Sequence, residues 1–332
     1  MRILILLPGA LGDVIRGLPL LGRLRRRHPD ATIGWVVEPL SAPILTGHPW
    51  LDRVHRFERK RGAAGFIAVA RDVRAAGYDV ALDLGRSAKS AVLAALSRAP
   101  RRIGFAREDA REGAWLLATE RLPPQGVERS KLEQFLAFGP ALDVTDGEVG
   151  FGLVPDAVDT AATATLLGDA RPPFVAACVG SSCPSRAWWP ERTAAVLDAL
   201  HAAHGTTGLL LGAPPDVAFA DAVRAHAQSP VANLVGRTTV RELLAVLARS
   251  RLAFGPDSGA LHLAAALGVR VVSLWGATSA LRSAPFGSET LTASGRTPCS
   301  PCFLTRCPIG RECMRTIAVD EVVALATRAL AA

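Results

Sequence analysis

A short apolar strand, a glycine-bearing turn and a helix follow one another near both ends of this chain, and no other feature restricts its fold as much. Near the C-terminus Leu252-Ala253-Phe254 leads into Gly255-Pro256-Asp257-Ser258-Gly259, a helix continues through His262 to Leu267, and Val269–Trp275 forms a second apolar strand. That order aims unpaired backbone N–H groups and the positive end of a helix dipole at one point beyond the sheet, where a phosphate fits. Plain capping of the helix by Asp257 or Ser258 is the competing reading. At the other end Arg2–Leu7 runs into Pro8-Gly9-Ala10-Leu11-Gly12-Asp13, after which Val14, Leu18, Leu21 and Leu24 recur at helical spacing. Gly9 and Gly12 do not make G-x-G-x-x-G, and a carboxylate stands where a dinucleotide turn needs bare backbone. Asp13 is therefore either a first-turn charge favoured by the helix dipole or a general base at the carboxyl edge of the sheet.

Between these ends strands and helices alternate. Strands are predicted at 3–7, 33–37, 54–57, 80–84 and 102–105, with helices at 15–27, 66–75 and 88–96. A second alternation brings strands at 174–179 and 208–211 and helices at 190–204, 217–227 and 240–248, before the 252–275 unit and a final helix at 317–330. The pattern is α/β, two Rossmann-like doubly wound domains. With 332 residues, 49 % of them apolar, the chain can fill two cores. The expected domains are residues 1–155 and 156–316, with 143–173 as the connection and the final helix, 317–332, packing back on the first domain. Ligand turns on facing edges imply a cleft.

The net charge is +8, and +6 of it falls in residues 1–155, concentrated in Arg23–Arg27, Arg53–Arg61 and Arg101-Arg102. The N-terminal half should face something anionic. Nucleic acid is not expected, because aromatics are not interleaved with these clusters and no nucleic-acid-binding motif appears. The Arg23–Arg27 run reads as a solvated face near a helix C-terminus, with contact to anionic lipid as the alternative. No run of eighteen apolar residues exists, and residues 1–11 lack a small-x-small cleavage site. A cytoplasmic protein is expected, peripheral at the inner face of the inner membrane. Cys299, Cys302, Cys307 and Cys313 form one cluster whose spacing leaves structural zinc and a redox-sensitive thiol group both open.

These residues carry a resemblance over nearly the whole chain. Gly12-Asp13-Val14 after the first strand, Asp83-Leu84-Gly85-Arg86 with Lys89-Ser90, Arg102-Ile103-Gly104-Phe105, Gly180-Ser181-Ser182 with Arg186-Ala187-Trp188, Leu211–Asp216, Asn233–Thr239 and Asp257-Ser258-Gly259 with His262 resemble the motifs of ADP-heptose:lipopolysaccharide heptosyltransferases, glycosyltransferase family nine, which have the GT-B fold. The cysteine-rich stretch from Cys299 to Met314 is similar to a tail common among relatives. Departures are Arg16 where many relatives have His, Arg86 within the usual Gln-Gly element, Arg186 in place of Lys, and a motif proline displaced to Pro190 by Trp189. Arg for Lys keeps the charge and adds two-pronged phosphate binding.

The resemblance implies an inverting transferase with ADP-heptose as donor and an anionic lipopolysaccharide inner-core precursor, Kdo-lipid A or its heptosylated form, as acceptor. It implies Asp13 as the base, and Ser258 and Gly259 N–H groups with Arg186 on the leaving diphosphate, so that no cofactor or divalent cation is required. Ser181 and Ser182 would add hydrogen bonds to phosphate, Asp216 would hold the ribose and Thr238 the adenine. Asp257 is left for sugar hydroxyls or for holding its loop, and His262 for the donor or for the core. Gly12, Arg16, Arg86 and Lys89 form the expected acceptor side, against a solvated helix start as the bland reading of Arg86 and Lys89. Another GT-B activity, such as transfer of a different sugar or epimerisation, and a non-catalytic nucleotide-binding scaffold are the alternatives.

Overall fold

The computed structural model describes residues 1–126, 128–145 and 147–331. The chain divides into two compact units, Met1–Leu153 and the remainder from Val154. In the first lie strands β1 (Arg2–Leu6), β2 (Thr32–Val37), β3 (Arg53–Arg56), β4 (Val80–Asp83), β5 (Arg101–Gly104) and β6 (Glu120–Arg121). Its helices are α1 (Leu11–Arg27), α2 (Ala42–Leu45), α3 (Gly62–Ala76), α4 (Ala88–Leu96) and α5 (Lys131–Leu136). All strand pairs are parallel, in the order β3-β2-β1-β4-β5-β6. Ile3, Leu4, Ile5 and Leu6 are wholly buried, as a central parallel strand covered on both faces requires.

The second unit opens with α6 (Ala157–Leu167) and continues through β7 (Phe174–Cys178), α7 (Pro190–His204), β8 (Thr207–Leu211), α8 (Val217–His226), β9 (Val231–Asn233), α9 (Val240–Ala248), β10 (Ser250–Pro256), α10 (Gly259–Ala266) and β11 (Arg270–Trp275). Then come α11 (Ala280–Ser283), β12 (Thr292–Ser294), α12 (Glu312–Arg315) and α13 (Val319–Ala331). Its parallel sheet runs β9-β8-β7-β10-β11-β12, so both sheets share one wiring, third-second-first-fourth-fifth-sixth. In such a sheet the crevice for ligands opens where the strand order reverses, at the carboxyl ends of the first and fourth strands. Those strands are β1 and β4 in one unit, β7 and β10 in the other.

Three expectations are corrected. The final helix, expected with the first domain, falls in the second unit. Val322, Ala326 and Ala329 of α13 are buried in the core of the second unit, beside Val175, Leu200, Leu252 and Leu274. Residues 143–173 are not simply a connection, because α6 belongs to the second unit and is stapled to α9 by Arg241, which ion-pairs with Asp156 and the buried Asp159. The Arg23–Arg27 run is only in part a solvated face: Arg26 and Arg27 are exposed, but the run is also tied to neighbouring backbone and to Asp52. Arg23, Arg26 and Arg27 donate to the carbonyls of Gly147, Glu148 and Asp143, while Arg25 pairs with Asp52.

Candidate active site

At the switch point of the first unit, α1 begins one turn after β1, and Asp13 stands in its first turn. Ala10 is the N-cap and supplies no side-chain cap, and the Asp13 carboxylate is engaged elsewhere. Its Oδ1 accepts from Arg16 Nη2 at 2.7 Å and from Lys131 Nζ at 2.9 Å. Burial alone would push this carboxyl up. The two cations override burial and hold it well below the usual carboxylate range.

Arg16 lies on the same helix, at the i+3 spacing that brings side chains together. Lys131 comes from α5, whose start is fixed by a capping box between Ser130 and Glu133. Gln134, one turn further on, accepts from Arg86 Nη2 and donates to the carbonyls of Gly126 and Arg129. Arg86 holds a left-handed backbone (φ 60°) and lays its guanidinium 4.1 Å from the centre of the Phe105 ring. One short helix therefore touches both Asp13 and Arg86. Of the other expected acceptor residues, Gly12 is buried in α1 and Lys89 is exposed at the start of α4. Asp83, at the end of β4 and in register with Leu6 of β1, is buried. Burial pushes its carboxyl up to about 6 against the pull of the Ser90 hydroxyl and the Gly85 N–H.

Sequence reasoning missed Lys131. Its contact with Asp13 spans 118 residues, so no local motif announces it. One signal existed. The chain uses arginine almost throughout, and Lys131 is one of only three lysines.

At the switch point of the second unit, β10 closes with Gly255 and Pro256, and the Gly255 φ of 150° suits glycine. A Cβ there would lie 2.2 Å from the Cys178 carbonyl of β7. Asp257 and Ser258 follow, and α10 begins at Gly259. Ser258 is the N-cap by position, yet its side chain caps nothing, and among the described residues its buried Oγ has no hydrogen-bond partner. Plain capping by Ser258 is thereby excluded. Asp257 Oδ2 takes Arg186 Nη1 at 3.1 Å and Thr278 Oγ1 at 3.0 Å. Arg186 Nε is a second buried donor with no hydrogen-bond partner among the described residues. Donors left buried and unpaired are costly, and an anion beside the N-terminus of α10 would satisfy both.

The remaining expected residues lie around these two turns or in the loop after β9. Ser181 follows β7 and turns its Oγ to the Cys183 N–H, while Ser182 is exposed. Asp216 folds back on the β8 turn, accepting from the Ala213 N–H at 2.8 Å, and a Cβ on Gly180 would lie 2.4 Å from its carboxylate. Thr238 is half-buried just before α9, and His262 is buried within α10.

The cysteine-rich stretch lies behind the Arg186 turn. Ser185 donates its N–H and Oγ to the carbonyls of Thr305 and Leu304, Arg311 donates to Ala187, and Arg311 stacks 4.7 Å from the centre of a Trp189 ring. All four cysteines are free thiols, and among the described residues no group of three or more His, Cys, Asp or Glu is disposed to hold a metal ion. Burial pushes the Cys313 thiol up, and Cys299, Cys302 and Cys307 add to that.

Residues 66–312, about three quarters of the chain, match the sequence model of glycosyltransferase family 9 (heptosyltransferase). The chain belongs to this family. Among curated proteins, this family 9 enzyme is 23 % identical over 284 residues to the lipopolysaccharide core heptosyltransferase OpsX of Haemophilus influenzae, covering 84 % of the chain and 80 % of that protein. It is 27 % identical over 325 residues to lipopolysaccharide heptosyltransferase 1 of Pseudomonas aeruginosa, covering 92 % and 87 %. Among solved structures, a family 9 glycosyltransferase from Veillonella parvula superposes with a TM-score of 0.86 at 20 % identity, covering 99 % of this chain and 97 % of that one. The E. coli heptosyltransferase WaaC with ADP-2-deoxy-2-fluoro heptose superposes with a TM-score of 0.74 at 21 % identity, covering 99 % of each chain. The fold is therefore GT-B, as expected. No helix among the described residues is long and apolar enough to cross a membrane.

Proposed function

We propose that this family 9 enzyme transfers heptose with inversion from ADP-heptose to an anionic lipopolysaccharide inner-core acceptor, Kdo-lipid A or its heptosylated form. In one displacement the acceptor oxygen bonds to the anomeric carbon as its proton passes to the Asp13 carboxylate. The bond from that carbon to the diphosphate breaks, and its electron pair leaves with ADP. Charge grows on the departing diphosphate. The N–H groups at the start of α10, the Ser258 hydroxyl and Arg186 meet it in a site where such donors need no reorganisation. Asp216 takes the ribose and the Thr238 loop the adenine, while Asp257 holds Arg186 in place.

The observation that carries this reading is the pair of buried, unpartnered donors, Ser258 Oγ and Arg186 Nε, beside the N-terminus of α10. The relatives named above support the sugar and the acceptor class. A lipid acceptor brings the enzyme to the inner face of the inner membrane. The exposed Arg59, Lys60 and Arg61 beside α3, with Ile67 exposed on that helix, supply basic and apolar surface for peripheral contact. The test is mass spectrometry of products formed from ADP-heptose and a panel of truncated lipopolysaccharide acceptors. The expected product gains one heptose. Turnover of uridine-diphosphate sugars in place of ADP-heptose would overturn the reading.

A further inference from the structure

Asp13 presents a contradiction as a base. Two cations sit within 3 Å of one of its oxygens, and a carboxylate held that way attracts protons weakly. Arg16 faces it from α1 and Lys131 from α5, while Glu133 of α5 is turned back to cap Ser130. Arg16 and Lys131 are the cations that act on it most strongly.

The two cations differ in freedom. Arg16 is held on the helix that carries Asp13, and its side chain is only 10 % exposed. Lys131 reaches across from another element on a flexible four-carbon stem, and its side chain is 29 % exposed. The backbone beneath it is fixed by the Ser130–Glu133 capping box and by the Gln134 bonds to Arg86, Gly126 and Arg129. The ammonium can therefore swing while α5 stays in place.

We infer that Lys131 is a positioning residue that senses the acceptor: an anionic group on the acceptor draws its ammonium off Asp13, and the carboxylate becomes an effective base only then. The inference rests on the assignment of Asp13 as base. The Lys131–Asp13 ion pair is the resting state, and the acceptor's carboxylate or phosphate replaces Asp13 as the partner of the ammonium. No covalent step is added. Chemistry is thereby tied to occupancy by an acceptor of the right charge, and a neutral acceptor would leave the ion pair closed.

Steady-state kinetics with ADP-heptose and Kdo-lipid A, for the parent enzyme, Lys131→Met, Lys131→Arg and Asp13→Asn across pH, test this. Lys131→Met should lower kcat/KM for the acceptor at least tenfold, with the loss mainly in KM. It should also move the acid limb of the kcat/KM profile, which reports the free enzyme, up towards the ordinary aspartate value of about 4. Lys131→Arg should restore KM and return the limb to low pH. A limb that stays in place in Lys131→Met, or a loss confined to kcat, would overturn the role of Lys131. Asp13→Asn separates the two ideas, since transfer at the parent rate in that variant removes the base itself, whatever Lys131 does.

Discussion

Asp13 and Asp83 stand at the carboxyl ends of neighbouring strands and are driven in opposite directions. Asp83 has no cation beside it among the groups that act on its carboxyl, so burial dominates and lifts it to about 6. Between its unfolded value near 4 and this value the native chain holds more protons than the unfolded one. Its stabilising contribution is thus complete below pH 4 and is lost as pH rises through 6. Asp83→Asn keeps an acceptor for the Gly85 N–H and abolishes that loss. The variant should unfold at higher urea than the parent at pH 8, by up to ~3 kcal/mol, and should differ little at pH 4.5. An equal difference at both pH values would refute the account. In the proposed reaction Arg186 meets charge that grows as the glycosidic bond breaks, so Arg186→Ala should depress both turnover and donor affinity, and Arg186→Lys should recover much of each. Kinetics with both substrates varied decide this. Unchanged constants in Arg186→Ala would mean that another cation serves the diphosphate. Asp13, Arg186 and Ser258 were legible as candidates because each stands in the segment that follows a strand, after β1, β7 and β10. Lys131 was not, because only the packing of α5 on α1 brings it to Asp13.

Among the elements, long strands and helices were readable and short ones were not. α4, α7 and α9 occupy their expected spans, since each begins at a capping residue or a first-position proline. β6 and β12 have two and three residues, too few for any period to register. α6 was taken for linker because its apolar residues are small and its stripe is weak, although Asp156 and Asp159 form a capping box. Its attachment is ionic. Asp159 is 5 % exposed, and Arg241 is the cation paired with it. Arg241→Met should therefore cost about 3–5 kcal/mol, because it leaves a buried charge without its partner. A double variant with Asp159→Leu should recover a large part of that in urea unfolding. A loss below about 1 kcal/mol for Arg241→Met would mean that α6 is held by its apolar contacts instead.

For the whole molecule, strand order was the property that no local pattern revealed. Strand–helix alternation dictates parallel sheets, but it does not say which strands lie side by side. The repeated third-second-first-fourth-fifth-sixth wiring does, and it explains why the informative turns follow β1 and β4 in one unit and β7 and β10 in the other. The cysteine-rich stretch gains a meaning at this scale too. It buttresses the Arg186 turn through Ser185, Ala187 and Trp189 and contributes no group to the proposed chemistry. In the proposed reaction protein cations and helix N–H groups meet the diphosphate charge, so exhaustive treatment with a chelator should leave transfer and thermal stability unchanged. Activity lost to the chelator and regained only with zinc would assign the cysteines a metal.

The doubled ion pair on Asp13 also bears on the lifetime of the donor. An activated sugar held beside an active base is exposed to water, and every such encounter wastes a nucleotide. With Asp13 as the proposed base, the ion pairs with Arg16 and Lys131 would leave water no base to take its proton, and the donor would wait for its acceptor intact. Lys131→Met should then release ADP from ADP-heptose several-fold faster than the parent when no acceptor is present, so the lysine acts as a guard against hydrolysis as well as a contact for the acceptor.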